Sequence, residues 1–225
     1  MPCEAIVDTL KVFLCGDVML GRGIDQILPH PGDPALREGY VTDARDYVAL
    51  AEAANGPIPR PVDFAWPWGE ALDVLADAAP DARIVNLETS VTRSDDFEPG
   101  KGIHYRMSPA NLPCLGAARP DACALANNHV LDFGCRGLRE TVGSLGAAGL
   151  QVAGAGLDAD QARRPAVVAV DHRRVLVFSF RDGVQRHSVA LGRDWQPTGR
   201  RPRTRVTREG CRAGRQRDTA GEATG

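Results

Sequence analysis

The chain has 225 residues, 43% apolar and 25% charged, with a formal net charge of −2. That suffices for one hydrophobic core with or without an appendage, and it excludes a chain too polar to fold. No segment approaches the ~18 apolar residues of a membrane span, and residues 1–10 lack the basic start and apolar run of a secretory signal.

Lys11–Cys15 is a short apolar run ending at Gly16-Asp17, and it predicts a buried strand. Residues 29–67 are rich in Pro, Gly and charge and read as a long excursion outside the core, with one helix at Ala44–Ala54. Glu70–Ala79 places Ala71, Leu72, Val74, Leu75 and Ala78 on one helical face before Pro80. Arg83–Leu87 predicts the next strand and delivers Glu88 at its carboxyl end. Residues 93–108 read as a polar loop, Pro109–Ala118 as a short helix, and Ala122–Ala126 as a third buried strand followed at once by Asn127-Asn128-His129.

Leu138, Val142 and Leu145 mark a helix that stops near Gly149. Val152–Ala153 reads as a fourth strand running into Gly154-Ala155-Gly156, a tight turn rather than a phosphate cradle. Ala166–Val170 and Arg174–Phe180 flank a short turn and predict a β-hairpin. Alternating strands and helices followed by a hairpin predict an α/β fold: a mainly parallel sheet with a second, antiparallel contribution.

Periodicity ends after Phe180. Residues 181–225 hold eleven Arg, no Lys and five acids, so the tail is basic and the preceding 180 residues are acidic. Val184, Val189, Leu191, Trp195, Val206 and Cys211 are its only sizeable apolar or thiol side chains, too few to offset the entropy of ordering. The expected organisation is one domain over 11–180 and a disordered Arg-rich tail over 181–225. Such a tail matches either a reading-frame change in a GC-rich gene or a true basic extension. No aromatic interleaving supports nucleic-acid stacking, so no nucleic acid is expected. Cys3, Cys15, Cys114, Cys123, Cys135 and Cys211 include no CxxC pair and read as reduced thiols of a cytoplasmic protein, with Cys114, Cys123 and Cys135 as buried filler. No P-loop or Gly-x-Ser-x-Gly occurs, which leaves NTPase and serine-hydrolase readings without support.

Three predicted strand ends carry ligand-type residues: Asp17, then Glu88, then Asn128 and His129. In parallel sheets ligands gather at the carboxyl ends of strands. Two carboxylates, an amide oxygen and an imidazole suit a divalent Mn, Fe or Zn ion. Taken singly, each has an ordinary explanation as a turn, a cap partner or a locally bonded loop. Arg22, Lys101, His104 and Arg106 lie nearby in sequence and could bind an anion or sit in solvent.

Gly16-Asp17-Val18-Met19-Leu20-Gly21-Arg22-Gly23, Asn86-Leu87-Glu88-Thr89-Ser90-Val91-Thr92 and Ala126-Asn127-Asn128-His129-Val130-Leu131-Asp132-Phe133-Gly134 resemble three motifs of the poly-γ-glutamate capsule-synthesis (CapA-like, PGA_cap) family. Lys101–Pro109 resembles a further stretch, so the likeness runs from about Val12 to Phe180. The resemblance implies a metallophosphoesterase-like α/β/β/α sandwich, incomplete at its C-terminus. It implies metal ligands at Asp17, Glu88 and Asn128, catalytic roles for His129 and for Asp132 as its orienting partner, and substrate contacts from Arg22, Lys101, His104 and Arg106. Met19 stands where phosphoesterases carry a His, as is usual in that family. The family's later His-rich segment has no counterpart, since only His172 and His187 follow. One metal instead of two is therefore expected. The implied role is metal-dependent hydrolysis or transfer on an anionic phosphoester-like or polyglutamate substrate. A non-catalytic partner in polyglutamate synthesis or export, or an inactive fragment, stands beside it.

Overall fold

A computed structural model describes residues 9–181. The chain is mixed α/β with a parallel central sheet. Its strands are β1 (Val12–Val18), β2 (Ala82–Leu87), β5 (Ala122–Ala124) and β6 (Gln151–Ala153), adjacent in that order and parallel throughout. Between β2 and β5 lies a short parallel ladder of β3 (Ser90–Val91) and β4 (Arg106–Met107). After β6 comes the antiparallel hairpin of β7 (Ala166–Val170) and β8 (Arg173–Val177). The helices are α1 (Arg22–Ile27), α2 (Ala44–Asn55), α3 (Ala71–Ala78), α4 (Pro113–Ala117), α5 (Gly134–Ala147) and α6 (Ala159–Arg163).

Alternation along β2 and β5 divides the core. Val85, Leu87, Cys123 and Leu125 pack with Leu28, Val48, Leu115, Leu138 and Leu145 from the helical side. Ala82, Ala122 and Ala153 form a small-residue strip on the opposite face, and Ala166, Val168, Val170 and Val177 of the hairpin close onto it. Small side chains there let the second sheet approach the first closely. At Gly154, φ is +83° and a Cβ would lie 2.7 Å from those of Ala126 and Ser179. This turn therefore requires glycine for close backbone approach.

Several expectations need correction. β1 does not end before Gly16-Asp17 but continues to Val18, with a bulge between Cys15 and Val18, after which pairing with β2 resumes. Among the described residues it also lies at the edge of the sheet rather than buried within it: Leu14 is 72% exposed. Residues 29–67 contribute Val48 and Val62 to the core, because α2 packs back against α1. In α3 only Leu75 is buried, and Val74 faces solvent. The polar segment 93–108 contains β4, since Ser90 and Thr92 donate to the Tyr105 and Met107 carbonyls. α1 and α6 are too short to show a period in sequence. The expectations for residues 182–225 lie outside the described residues. Among the described residues no helix is long and apolar enough to cross a membrane.

Cys114 and Cys123 are wholly buried in this core. Burial pushes their thiols up from 9.0, to about 11 and about 12. Raised folded-state values mean that their contribution to stability is complete below pH 9 and is lost as pH rises through those values. Alkylation with iodoacetamide at neutral pH should leave both thiols unmodified while the half-buried Cys15 reacts, and denaturant should expose them. Labelling of Cys123 in the folded protein would contradict this packing.

Candidate functional site

The carboxyl ends of β1, β2 and β5 are bridged by amides. The Asn86 amide donates to Asp17 Oδ1 at 2.7 Å. Asn127 Nδ2 donates to Asn86 Oδ1 at 3.0 Å and to the Leu87 carbonyl at 2.9 Å. Asn127 Oδ1 in turn accepts the His129 N–H at 3.0 Å. This chain of amides fixes the turn after β5 and sets the imidazole against β2. His129 is 5% exposed, and its Nε2 lies 4.0 Å from Glu88 Oε1.

On its other side, His129 meets Asp132, which is fully buried. Nδ1 lies 2.6 Å from Asp132 Oδ2. A carboxylate offers only lone pairs, so Nδ1 carries the proton, and Nε2 is the ring nitrogen turned toward Glu88. The Tyr105 N–H donates to the same Oδ2 at 2.6 Å, and the Lys101 ammonium donates to Oδ1. Lys101 also donates to the Asn128 carbonyl. Three donors thus converge on one buried carboxylate, which is how a buried charge is tolerated.

Aromatic stacking completes the setting of the imidazole. The Tyr105 ring stacks on His129 with centroids 3.9 Å apart and an interplanar angle of 21°. The Arg22 guanidinium lies over Tyr105 at 4.6 Å and over Tyr47 at 4.8 Å. Arg22 is also held by Glu38 at 2.7 Å, and Glu38 accepts from the Tyr47 hydroxyl at 2.6 Å. Asp17 and Arg22 both hold left-handed backbone, with φ of +51° and +50°. Strained residues of this kind collect at functional positions. Gly21 is required by proximity: a Cβ would come within 2.5 Å of the Arg106 carbonyl oxygen.

The predicted site residues separate into groups. Glu88, His129, Asp132 and Lys101 form one contiguous cluster, and Asp17 joins it through Asn86. Asn128 is exposed and takes part through its carbonyl. Among the described residues Arg22 reaches the cluster through the Tyr105 ring. His104 and Arg106 lie elsewhere. His104 is 3% exposed between Phe97 and Phe133, and the Arg106 guanidinium lies over the same two rings. Arg106 donates to the Ser94 and Asp33 carbonyls at 2.8 and 3.0 Å. Burial pushes its pKa below the ordinary value, against the pull of Asp33, Asp25 and Asp95. Sequence reasoning assigned no role to Tyr105, Asn86 or Asn127. Asn86 and Asn127 stand inside the recognised motifs, and the alternation of an extended chain puts Tyr105 opposite His104 and Arg106.

Glu88 and His129 Nε2 face each other, but the Asp17 carboxylate is taken up by Asn86. Among the described residues no group of three or more His, Cys, Asp or Glu side chains could hold a metal. The described residues therefore do not amount to a metal cage.

Replacing Asp132 by Asn would leave the Lys101 charge without its carboxylate and put an amide donor against the existing donors. A loss of about 3 kcal/mol in unfolding free energy is expected for Asp132→Asn. Ring nitrogen NMR shifts should show His129 moving toward the other tautomer. Unchanged stability and an unchanged tautomer would refute the assigned network.

The sequence profile described as "Bacterial capsule synthesis protein PGA_cap" matches residues 11–223, further than the motif-bearing stretch that ends near Phe180. Two relatives from Mycobacterium tuberculosis strains CDC 1551 and H37Rv carry the name "Probable polyglutamine synthesis accessory protein". Each is 52% identical over 214 residues, covering 95% of this chain and 54% of its own length. The "PGA biosynthesis protein CapA" of Bacillus subtilis strain 168 is 23% identical over 158 residues, 70% of this chain and 33% of its own length. The chain thus spans about half the length of the mycobacterial relatives. By the extent of the profile match and the 52% identity, the chain belongs to the bacterial capsule synthesis protein (PGA_cap) family.

Proposed function

We propose that this chain serves the making of a polyglutamate capsule polymer, and that Glu88, His129 and Asp132 form a hydrolytic acid–base centre acting on a γ-glutamyl amide or a phosphoester. The observation that carries the chemistry is the buried Asp132–His129 pair whose Nε2 is turned toward Glu88 at 4.0 Å. A water within hydrogen-bond reach of both groups fits that separation. Nε2 takes a proton from this water as its oxygen adds to the reacting centre, then returns it to the leaving group. Asp132 keeps the ring in the required tautomer, and Lys101 keeps Asp132 in place.

A second reading is a non-catalytic accessory role. It is favoured by the engagement of Asp17 with Asn86, by the lack of a three-donor group among the described residues, and by the printed name of the mycobacterial relatives.

The two readings part in one experiment. The purified chain is incubated with a short γ-linked oligoglutamate, and separately with a generic phosphodiester, with and without added Mn²⁺. Under the hydrolytic reading one substrate is turned over, and His129→Gln lowers the rate by roughly 10²–10⁴-fold with the fold intact by circular dichroism. Absence of turnover of both substrates under both conditions would favour the accessory role. A tightly held pair of metal ions in the purified protein would overturn the metal-free step.

A further inference from the structure

Beyond the His129 cluster lies a groove of about 470 Å³ lined by His30, Gly32, Asp33, Thr92, Arg93, Arg106 and Ser108 among others. Neither Glu88, Lys101, Tyr105, His129 nor Asp132 lines it. It lies on the Arg106 side of the 104–107 segment, away from the Tyr105 ring that stacks on His129.

The groove is built, not incidental. Asp25, 3% exposed, accepts the Gly32 N–H at 2.7 Å, the Ser108 N–H at 3.0 Å and Asn111 Nδ2 at 2.7 Å. These bonds tie the 30–33 wall to the chain leaving β4. Asn111 Oδ1 also accepts the His30 N–H at 3.0 Å. A Cβ at Gly32 would lie 3.2 Å from Asp25 Oδ2, so the wall sits directly on its support.

Its lining is cationic. Arg106 spends two N–H groups on backbone carbonyls and has no carboxylate within ion-pair distance among the described residues. Arg93 is exposed, and Glu140 takes its backbone N–H rather than its guanidinium. His30 is exposed at the rim. The one acid in the lining, Asp33, is partly occupied by the Ala35 N–H at 2.9 Å. Two guanidinium forks with spare donors match carboxylates bidentately, and a neutral amide chain would leave their charge uncompensated.

We propose that this groove binds a carboxylate-bearing chain, holding the polymer at a site separate from the His129 cluster. The identification of that chain as polyglutamate, rather than the neutral polyglutamine in the relatives' name, rests on the function proposed above. The charge of the groove is independent of it.

Titration calorimetry on the full chain tests this with three probes: short γ-linked oligoglutamate, oligoglutamine of the same length, and polyphosphate. Oligoglutamate should bind and oligoglutamine should not. Arg93→Glu, at an exposed position, should weaken oligoglutamate binding by at least about tenfold, and His30→Ala together with Arg93→Ala should do likewise. His129→Gln should bind as the parent does. Unaltered binding in Arg93→Glu, or loss in His129→Gln alone, would place the polymer in the His129 cluster and overturn the groove. Binding of polyphosphate without oligoglutamate would overturn the carboxylate assignment. Failure of hydrolysis with oligoglutamate binding retained would strike the proposed chemistry and leave the groove standing.

Discussion

A carboxylate with no exposure to water must be surrounded by donors, and in this protein Asp132 imposes that demand on three separate segments. Lys101 arrives from the loop after β3, Tyr105 supplies its N–H from just before β4, and His129 comes from the turn after β5. The Asp132 carbonyl also accepts the Glu98 N–H at 2.9 Å. Segment 98–105, which has no regular structure of its own, is thereby anchored to the head of α5. The imidazole is then enclosed by the Tyr105 ring on its face and by Asp132 at Nδ1. Without the Asp132 carboxylate the ring would lose the partner that fixes its tautomer and keep only the Tyr105 stack on its face.

The parallel sheet provides the other half of this arrangement. Parallel strands bring their carboxyl ends to one edge, so β1, β2 and β5 deliver Asp17, Glu88 and the 127–129 turn together. What the ends do to one another depends on side-chain amides. Asn86 and Asn127 turn three strand ends into one hydrogen-bonded line from Asp17 to the His129 N–H. The bulge at the end of β1 and the left-handed φ of Asp17 aim its carboxylate along this line.

This explains what could be read from the sequence and what could not. Short apolar runs at Arg83–Leu87 and Ala122–Ala126 were readable because strands buried on both faces need continuous apolar residues. The hairpin was readable from two apolar runs flanking the short Asp171-His172-Arg173 turn. β1 misled because its apolar residues imply burial, whereas Leu14 is exposed at an edge. The two-residue strands β3 and β4 carry no pattern at all; their pairing comes from tertiary packing, with Val91 and Met107 wholly buried. Of the site, the residue types at strand ends were legible. The partition of Lys101, Tyr105 and Arg106 was not, because it depends on which way an extended segment faces, and nothing local decides that.

That facing is decided by two buried carboxylates. Tyr105 N–H goes to Asp132, and three residues later Ser108 N–H goes to Asp25. The two acids stand at either end of β4 and reach it from different parts of the chain, α5's approach and α1. Asp132 has a cation paired with it in Lys101, whereas the groups hydrogen-bonded to Asp25 are neutral donors; burial pushes its pKa up despite them and despite the weaker pull of Arg106. The two ends of β4 are therefore held by unequal means. At the Asp132 end an ion pair fixes the imidazole. At the Asp25 end neutral donors hold the groove wall, and Arg106 is attracted by Asp33, Asp25 and Asp95 without an ion pair to any of them among the described residues. A guanidinium kept from the nearest buried carboxylate remains available to an outside one, and so the same short strand supports a reactive cluster on one side and a cationic groove on the other.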